Sequence, residues 1–133
     1  MLTRLFPFLH PAHIKPDLTF RLRRLAEDCG RLELGVPVSQ LELNKAPLLE
    51  DWGPTVTPQG LRLVGHATGH PVFGDGAGMT SPVCLADPDG AWVRTLSRFY
   101  RLGSPIELKD IRRVLRASGG ISVVDEDGWE NEP

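Results

Sequence analysis

The chain has 133 residues, a length that fits one domain with one core and excludes a pairing of separate cofactor and substrate domains. A hydrophobic fraction of 41%, a charged fraction of 24% and a mean hydropathy of −0.16 exclude wholesale disorder and a membrane-spanning chain. The formal charge of −2 excludes a domain that holds nucleic acid by overall positive charge, while a local basic patch stays open.

The opening Leu5, Phe6, Phe8 and Leu9 form an apolar patch broken by Pro7, too short for a secretory signal. It is expected to pack onto the domain surface, with docking to a partner or a lipid surface as the alternative. A first helix is expected from Pro16 to Leu32, because Leu18, Leu22, Leu25, Cys29 and Leu32 recur at spacings of three and four. On a helical wheel those five share one stripe, and Phe20, Arg23 and Arg24 project to the far side. Gly35 and Pro37 stop the helix, and Ser39-Gln-Leu-Glu42 has the spacing of a capping box that opens a second, short helix limited by Pro47.

The period then changes to two. Leu61, Leu63, Gly65 and Ala67 alternate with Arg62, Val64, His66 and Thr68, which predicts a strand over 61–68. A glycine-rich excursion over 69–78 precedes strands near 80–86, 91–95 and 99–102, and Asp87-Pro88-Asp89-Gly90 supplies a turn between two of them. A last helix is predicted over 104–120, with Ser104 as N-cap, Pro105 at the first position, and Leu108, Ile111, Val114 and Leu115 on its apolar face. Residues 121–124 add a short strand, and 125–133 form an acidic tail. Charge follows this layout: +2 over residues 1–33, −4 over 34–91, +5 over 92–117 and −5 over 118–133.

The stretch from Leu48 to Gly103 resembles a family of small uncharacterised bacterial proteins, some borne by phages or other mobile elements. The likeness rests on Leu49-Glu-Asp-Trp52, Gly69-His-Pro71, Asp75-Gly76, Thr80-Ser81 and Thr95-Leu-Ser-Arg-Phe-Tyr-Arg-Leu-Gly103. It implies a short β module and no particular activity.

Residues able to carry chemistry are few. His66 and His70 beside Asp75, or His10 and His13, invite a metal reading, but neither set has the three or four ligands a site needs, so no metal and no cofactor is expected. His70, Asp75, Thr80 and Ser81 can be drawn as a hydrolytic cluster; the reading placed ahead of it has them tie the glycine-rich loop through side-chain to backbone bonds. Ser81 and Ser97 lack a nucleophile elbow, and Gly74-Asp-Gly-Ala-Gly78 lacks the lysine of a phosphate-binding loop. The two cysteines, Cys29 and Cys84, are too few for a disulfide framework and point to a reducing cytoplasm.

The informative chemistry is cationic. Arg94, Arg98 and Arg101 border the last hairpin, interleaved with Trp92, Phe99 and Tyr100, and Lys109, Arg112, Arg113 and Arg116 stripe the final helix. Guanidinium donors mixed with aromatic faces suit a protein hot spot or a nucleic-acid strand. The expectation is therefore an α+β domain over residues 1–124: a small, strongly bent antiparallel sheet, with a partly open barrel as its alternative form, packed with an N-terminal and a C-terminal helix. Its expected role is non-enzymatic: an interaction or regulatory protein, bacterial or phage and cytoplasmic, that binds a protein partner and inhibits a larger assembly. The binding residues expected are Phe20, Arg23, Arg24, Trp92, Arg94, Arg98, Tyr100, Arg101, Lys109, Arg112, Arg113 and Arg116. The alternative role is a nucleic-acid-binding module using the basic hairpin and the last helix, with no membrane contact in either.

Overall fold

The computed structural model describes residues 1–107. A short helix α1 (Leu2–Leu5) and two 3-10 turns at Pro7–Leu9 and Pro11–His13 lead into α2 (Pro16–Glu33). Proline opens both turns and α2, where its fixed φ suits a helix start and its missing N–H leaves no donor unpaired. Asp17 in the first turn of α2 and Arg31 in the last complement the helix dipole. At the exit Gly35 has φ +78°, Val36 N–H returns to the Arg31 carbonyl at 3.0 Å and Gly35 N–H to Leu32 at 3.0 Å, a Schellman stop. Helix α3 (Gln40–Lys45) starts as its capping spacing requires, with Ser39 Oγ accepting from Glu42 N–H at 3.1 Å.

Six strands follow: β1 (Leu48–Thr57), β2 (Gly60–His70), β3 (Gly74–Met79), β4 (Val83–Ala86), β5 (Trp92–Thr95) and β6 (Phe99–Leu102). They form one open sheet in the order β3-β2-β1-β6-β5-β4, two antiparallel meanders joined at the centre. The joining pair, β1 and β6, is parallel, with Leu48 opposite Arg101 and Leu49 opposite Leu102, so the sheet is mixed where an antiparallel one was expected. The chain reaches β6 from the far edge of the sheet, so it enters beside β1 in the same direction.

That topology forces a bend. The edge strands β3 and β4 are consecutive in the chain, joined only by Thr80, Ser81 and Pro82. Four Cα steps reach about 15 Å, whereas the edges of a flat six-stranded sheet stand about 24 Å apart. The sheet therefore curls until its edges approach. Thr80 N–H bonds to the Leu63 carbonyl at 2.9 Å on one side of the gap, and Leu96 N–H bonds to the Pro82 carbonyl at 2.9 Å on the other.

The inner face of the curl holds the core, Leu49, Leu63, Ala67, Val93 and Tyr100, with Trp52, Val83 and Leu102 packed against it. Gly65 is needed where β2 crosses the β1 bulge, since a Cβ there would stand 2.9 Å from the Glu50 carbonyl.

Several local expectations change. Residues 48–57, read without a strand, form β1, because their acidic residues and Pro54 hide the alternation. Most of the glycine-rich excursion is strand: β2 runs on to His70, β3 occupies Gly74–Met79, and only 71–73 turn. The apolar stripe of α2 turns inward only in part: Leu18, Leu25, Cys29 and Leu32 are half-buried, Leu22 is 48% exposed, and the buried residues of this helix are Arg21 and Asp28. Of the four residues expected to pack onto the surface, Leu5, Phe6 and Leu9 stay exposed and Phe8 is half-buried; Phe6, Phe8 and Leu9 stand beside the β1–β2 turn at Pro58.

The chain leaving β6 continues along β1: Pro105 bridges Trp52 in parallel, and Ile106 N–H bonds to the Trp52 carbonyl at 2.9 Å. Pro105 and Ile106 thus extend the β pairing where helix was expected. The rest of the predicted last helix, with Lys109, Arg112, Arg113 and Arg116, the strand at 121–124 and the acidic tail lie outside the described residues. No described helix is long and apolar enough to cross a membrane.

Candidate functional site

Helix α2 lies over the outer face of β5 and β6, and charge holds it there. Arg94 projects from β5 and is 2% exposed, so its guanidinium needs acceptors inside the protein. It finds two, donating through Nε to Asp28 Oδ2 at 2.9 Å and through Nη1 to the Thr95 carbonyl at 2.6 Å. The Phe99 ring lies 5.3 Å from the guanidinium carbon, within cation–π range. Asp28, 5% exposed, also receives Arg31 on its other oxygen, so two guanidinium groups converge on one buried carboxylate.

Two turns earlier, Arg21 makes the second attachment. Its Nη1 donates to Ser97 Oγ at 3.1 Å, and its Nη2 pairs with Asp17 at 3.2 Å. Ser97 sits in the tight turn between β5 and β6, where Thr95 Oγ1 accepts from the N–H groups of Ser97 and Arg98, each at 3.2 Å. Ser81 Oγ donates to Ser97 Oγ at 3.1 Å, tying this turn to the segment that crosses the open edge of the sheet.

Between α2, α3 and the β5–β6 turn these attachments leave a cleft of about 340 Å³. Arg21, Arg24, Lys45, Arg94 and Arg98 line it against Asp17, Asp28 and Glu42, five cations to three carboxylates. Phe20, Phe99, Ala46, Pro47 and Pro71 supply the apolar wall. Phe20 stands at the rim, 57% exposed, with the Arg24 guanidinium 5.9 Å from its ring centroid.

Of the expected binding residues, the cleft brings together Phe20, Arg24, Arg94 and Arg98. Arg94 reaches it only as a buried floor, and its guanidinium is committed to Asp28, so it is no surface anchor. Tyr100 is fully buried in the core, its ring 6.3 Å from that of His70, because its strand position faces the inside of the curl. It cannot meet a partner. Trp92 is half-buried edge-on against Phe99, with centroids 5.4 Å apart, and Arg101 donates to the Ala46 carbonyl at 3.0 Å, fastening the end of α3 to β6. Arg23 is exposed outside the cleft, about 100° around α2 from Arg24.

Sequence reasoning missed Asp17, Arg21, Asp28, Glu42, Lys45 and Ser97. A signal existed for the helix residues: Asp17, Arg21, Arg24 and Asp28 recur at three and four, a polar stripe beside the apolar one.

In the glycine-rich region polar side chains bond backbone. His70 is buried, and its Nδ1 accepts from Val72 and Phe73 N–H, both at 3.1 Å. Asp75 accepts from Gly69 N–H at 2.8 Å, and Thr80 Oγ1 from Leu63 N–H at 3.1 Å. His70 and Asp75 thus tie the loop as the reading placed ahead had it, whereas Thr80 ties to β2 and Ser81 donates to the Ser97 side chain. Among the described residues no three His, Cys, Asp or Glu side chains stand together as a metal site. On edge strand β4, Cys84 is exposed overall, and partial desolvation of its sulfur pushes the thiol up from its ordinary value, opposed by the Arg94 cation.

No curated protein and no solved structure matches the chain. A family model does match, over residues 30–123; it includes α3, the whole sheet and the Arg94–Phe99 side of the cleft, and begins after the α2 residues that form the opposite wall. With that span well over half its length, the chain belongs to DUF6634, a family of unknown function.

Proposed function

We propose that the protein is a non-enzymatic interaction module, a bacterial or phage regulator acting in the cytoplasm, that grips a protein partner through the cleft between α2 and the β5–β6 turn. The observation that carries this reading is the rim: an exposed aromatic ring, Phe20, carrying the Arg24 cation beside a cleft whose floor is built on buried ion pairs. Aromatic and arginine side chains at the mouth of a rigid pocket are the composition of a binding hot spot. The floor is preorganised, so little ordering cost falls on binding. A natural consequence of such a grip is to block the partner's assembly with others.

The nucleic-acid alternative needs a continuous cationic track. In the described residues its hairpin component is thin, since Arg94 is buried against Asp28 and Arg101 is spent on the Ala46 carbonyl.

The discriminating experiment compares the tagged full chain with a Phe20→Ala variant, recovered from the native host, and titrates both against random single- and double-stranded oligonucleotides. A stoichiometric protein that accompanies the parent chain through moderate salt and is lost from the variant is the expected result. Tight oligonucleotide binding that falls steeply with salt, abolished by reversing Arg112, Arg113 and Arg116, would put the nucleic-acid reading in its place.

A further inference from the structure

We infer that the cleft recognises an acidic peptide segment of the partner, a carboxylate side chain next to an aromatic or aliphatic one; this rests on the reading that the cleft is the partner-binding site. Its cations fall into two groups. Arg94 and Arg21 are buried and serve Asp28, Ser97 and Asp17 within the fold, and Arg98 likewise has a partner within the chain. Arg24 and Lys45 line the same cleft from α2 and α3 and make no hydrogen bond or ion pair with another described residue.

Arg24 lies against the Phe20 ring, a contact that holds the cation at the mouth and leaves its N–H edge open to an acceptor. A carboxylate entering between Arg24 and Lys45 would meet two cations, as Asp28 does on the cleft floor with Arg94 and Arg31. The next residue of the peptide would lie on the apolar wall of Phe20, Pro47 and Pro71, which presents no proline N–H to be left unpaired.

Size and charge exclude longer polyanions from this position. A volume of about 340 Å³ lies at the small end of ligand pockets and admits side chains rather than a run of stacked bases. Asp17 and Glu42 share the lining, so successive phosphates would meet repulsion after the first, while an isolated carboxylate sits between the cations.

The test titrates the full chain with two dye-labelled peptides, Gly-Glu-Trp-Glu-Gly and Gly-Gln-Trp-Gln-Gly, blocked at both ends, at low and moderate salt. The glutamate peptide is expected to bind about tenfold more tightly than its glutamine counterpart, and that advantage to disappear in an R24Q/K45Q chain with an unchanged circular dichroism spectrum. Phe20→Ala is expected to weaken both peptides alike. Equal affinity for the two peptides, an advantage that survives R24Q/K45Q, no binding at millimolar concentration, or displacement of the peptide by a lower concentration of single-stranded oligonucleotide each overturns the inference. A natural partner lost from the Phe20→Ala chain but retained by R24Q/K45Q overturns it while leaving the interaction reading in place.

Discussion

At the residue scale the fold turns on Asp28 and Arg94. Each is buried, and neither could be so without the other: a guanidinium moved from water into a protein interior loses several kcal/mol of solvation unless a carboxylate and further acceptors replace it. Asp28→Asn is therefore expected to lower stability by about 3–5 kcal/mol, read from the midpoint of urea unfolding. Replacing the pair together, Asp28→Leu with Arg94→Met, is expected to recover most of that loss, because no uncompensated charge then remains inside. Phe20→Ala belongs at the opposite extreme. Its ring is 57% exposed, and the change is expected to stay within about 0.5 kcal/mol of the parent. Cys84 offers a pH measurement. Partial desolvation of the sulfur disfavours its thiolate, so alkylation should reach half its limiting rate at a higher pH than that of an unstructured cysteine peptide. A profile at or below the peptide's would mean that the Arg94 cation outweighs that desolvation.

At the element scale, the ends of α2 and α3 were legible, and the buried face of α2 only in part. The Ser39 cap, the Pro16 start and the glycine stop after α2 are local devices, each set by hydrogen bonds or φ values within a few residues, and they appear where the spacing put them, whereas the Ser104-Pro105 start does not, because Pro105 continues the pairing along β1. Gly35→Ala is expected to cost about 1 kcal/mol, since alanine must take the left-handed conformation that glycine holds at φ +78°. Thermal unfolding of the variant checks it. The buried face of α2 was legible only in part, for a different reason. Apolar spacing marks a stripe, but what covers a helix depends on what the sheet presents, and β5 presents Arg94. Asp28 and Arg21 lie inward among half-buried Leu18, Leu25 and Leu32, and Leu22 is left half in water. Strand β1 was lost for a related reason, because the bulge between Glu50 and Gly53, with Asp51 at φ +51°, breaks the alternation that would have revealed it.

At the scale of the whole molecule, the curl is a consequence of topology. Two meanders pair through β1 and β6, so the chain must cross between the outer edges, and three residues suffice only if the edges nearly meet. The central strands therefore carry the core. Leu49→Ala is expected to cost about 2–5 kcal/mol, and native-state hydrogen exchange is expected to be slowest at Leu49, Leu63 and Tyr100 and faster along the glycine-rich edge β3. Uniform exchange across the sheet would mean that the β3 edge is held as firmly as the strands that carry the core.

Composition, capping signals and turn residues by themselves determined the class of the protein, its α+β make-up, the extent of α2 and α3, and the turn at Asp87-Pro88-Asp89-Gly90, where Gly90 has φ +81°. They also marked the arginine and aromatic composition around Phe20, Arg24 and Arg98. These are short-range matters, decided by spacing and backbone preference. Which cations meet a carboxylate, which aromatic is core and which is rim, and that β1 and β6 run parallel were decided only when segments far apart in the chain came together. Arg94 and Asp28 are 66 residues apart, and nothing local to either says that one will neutralise the other. The cleft lies over that long-range pair, between α2 and the β5–β6 turn.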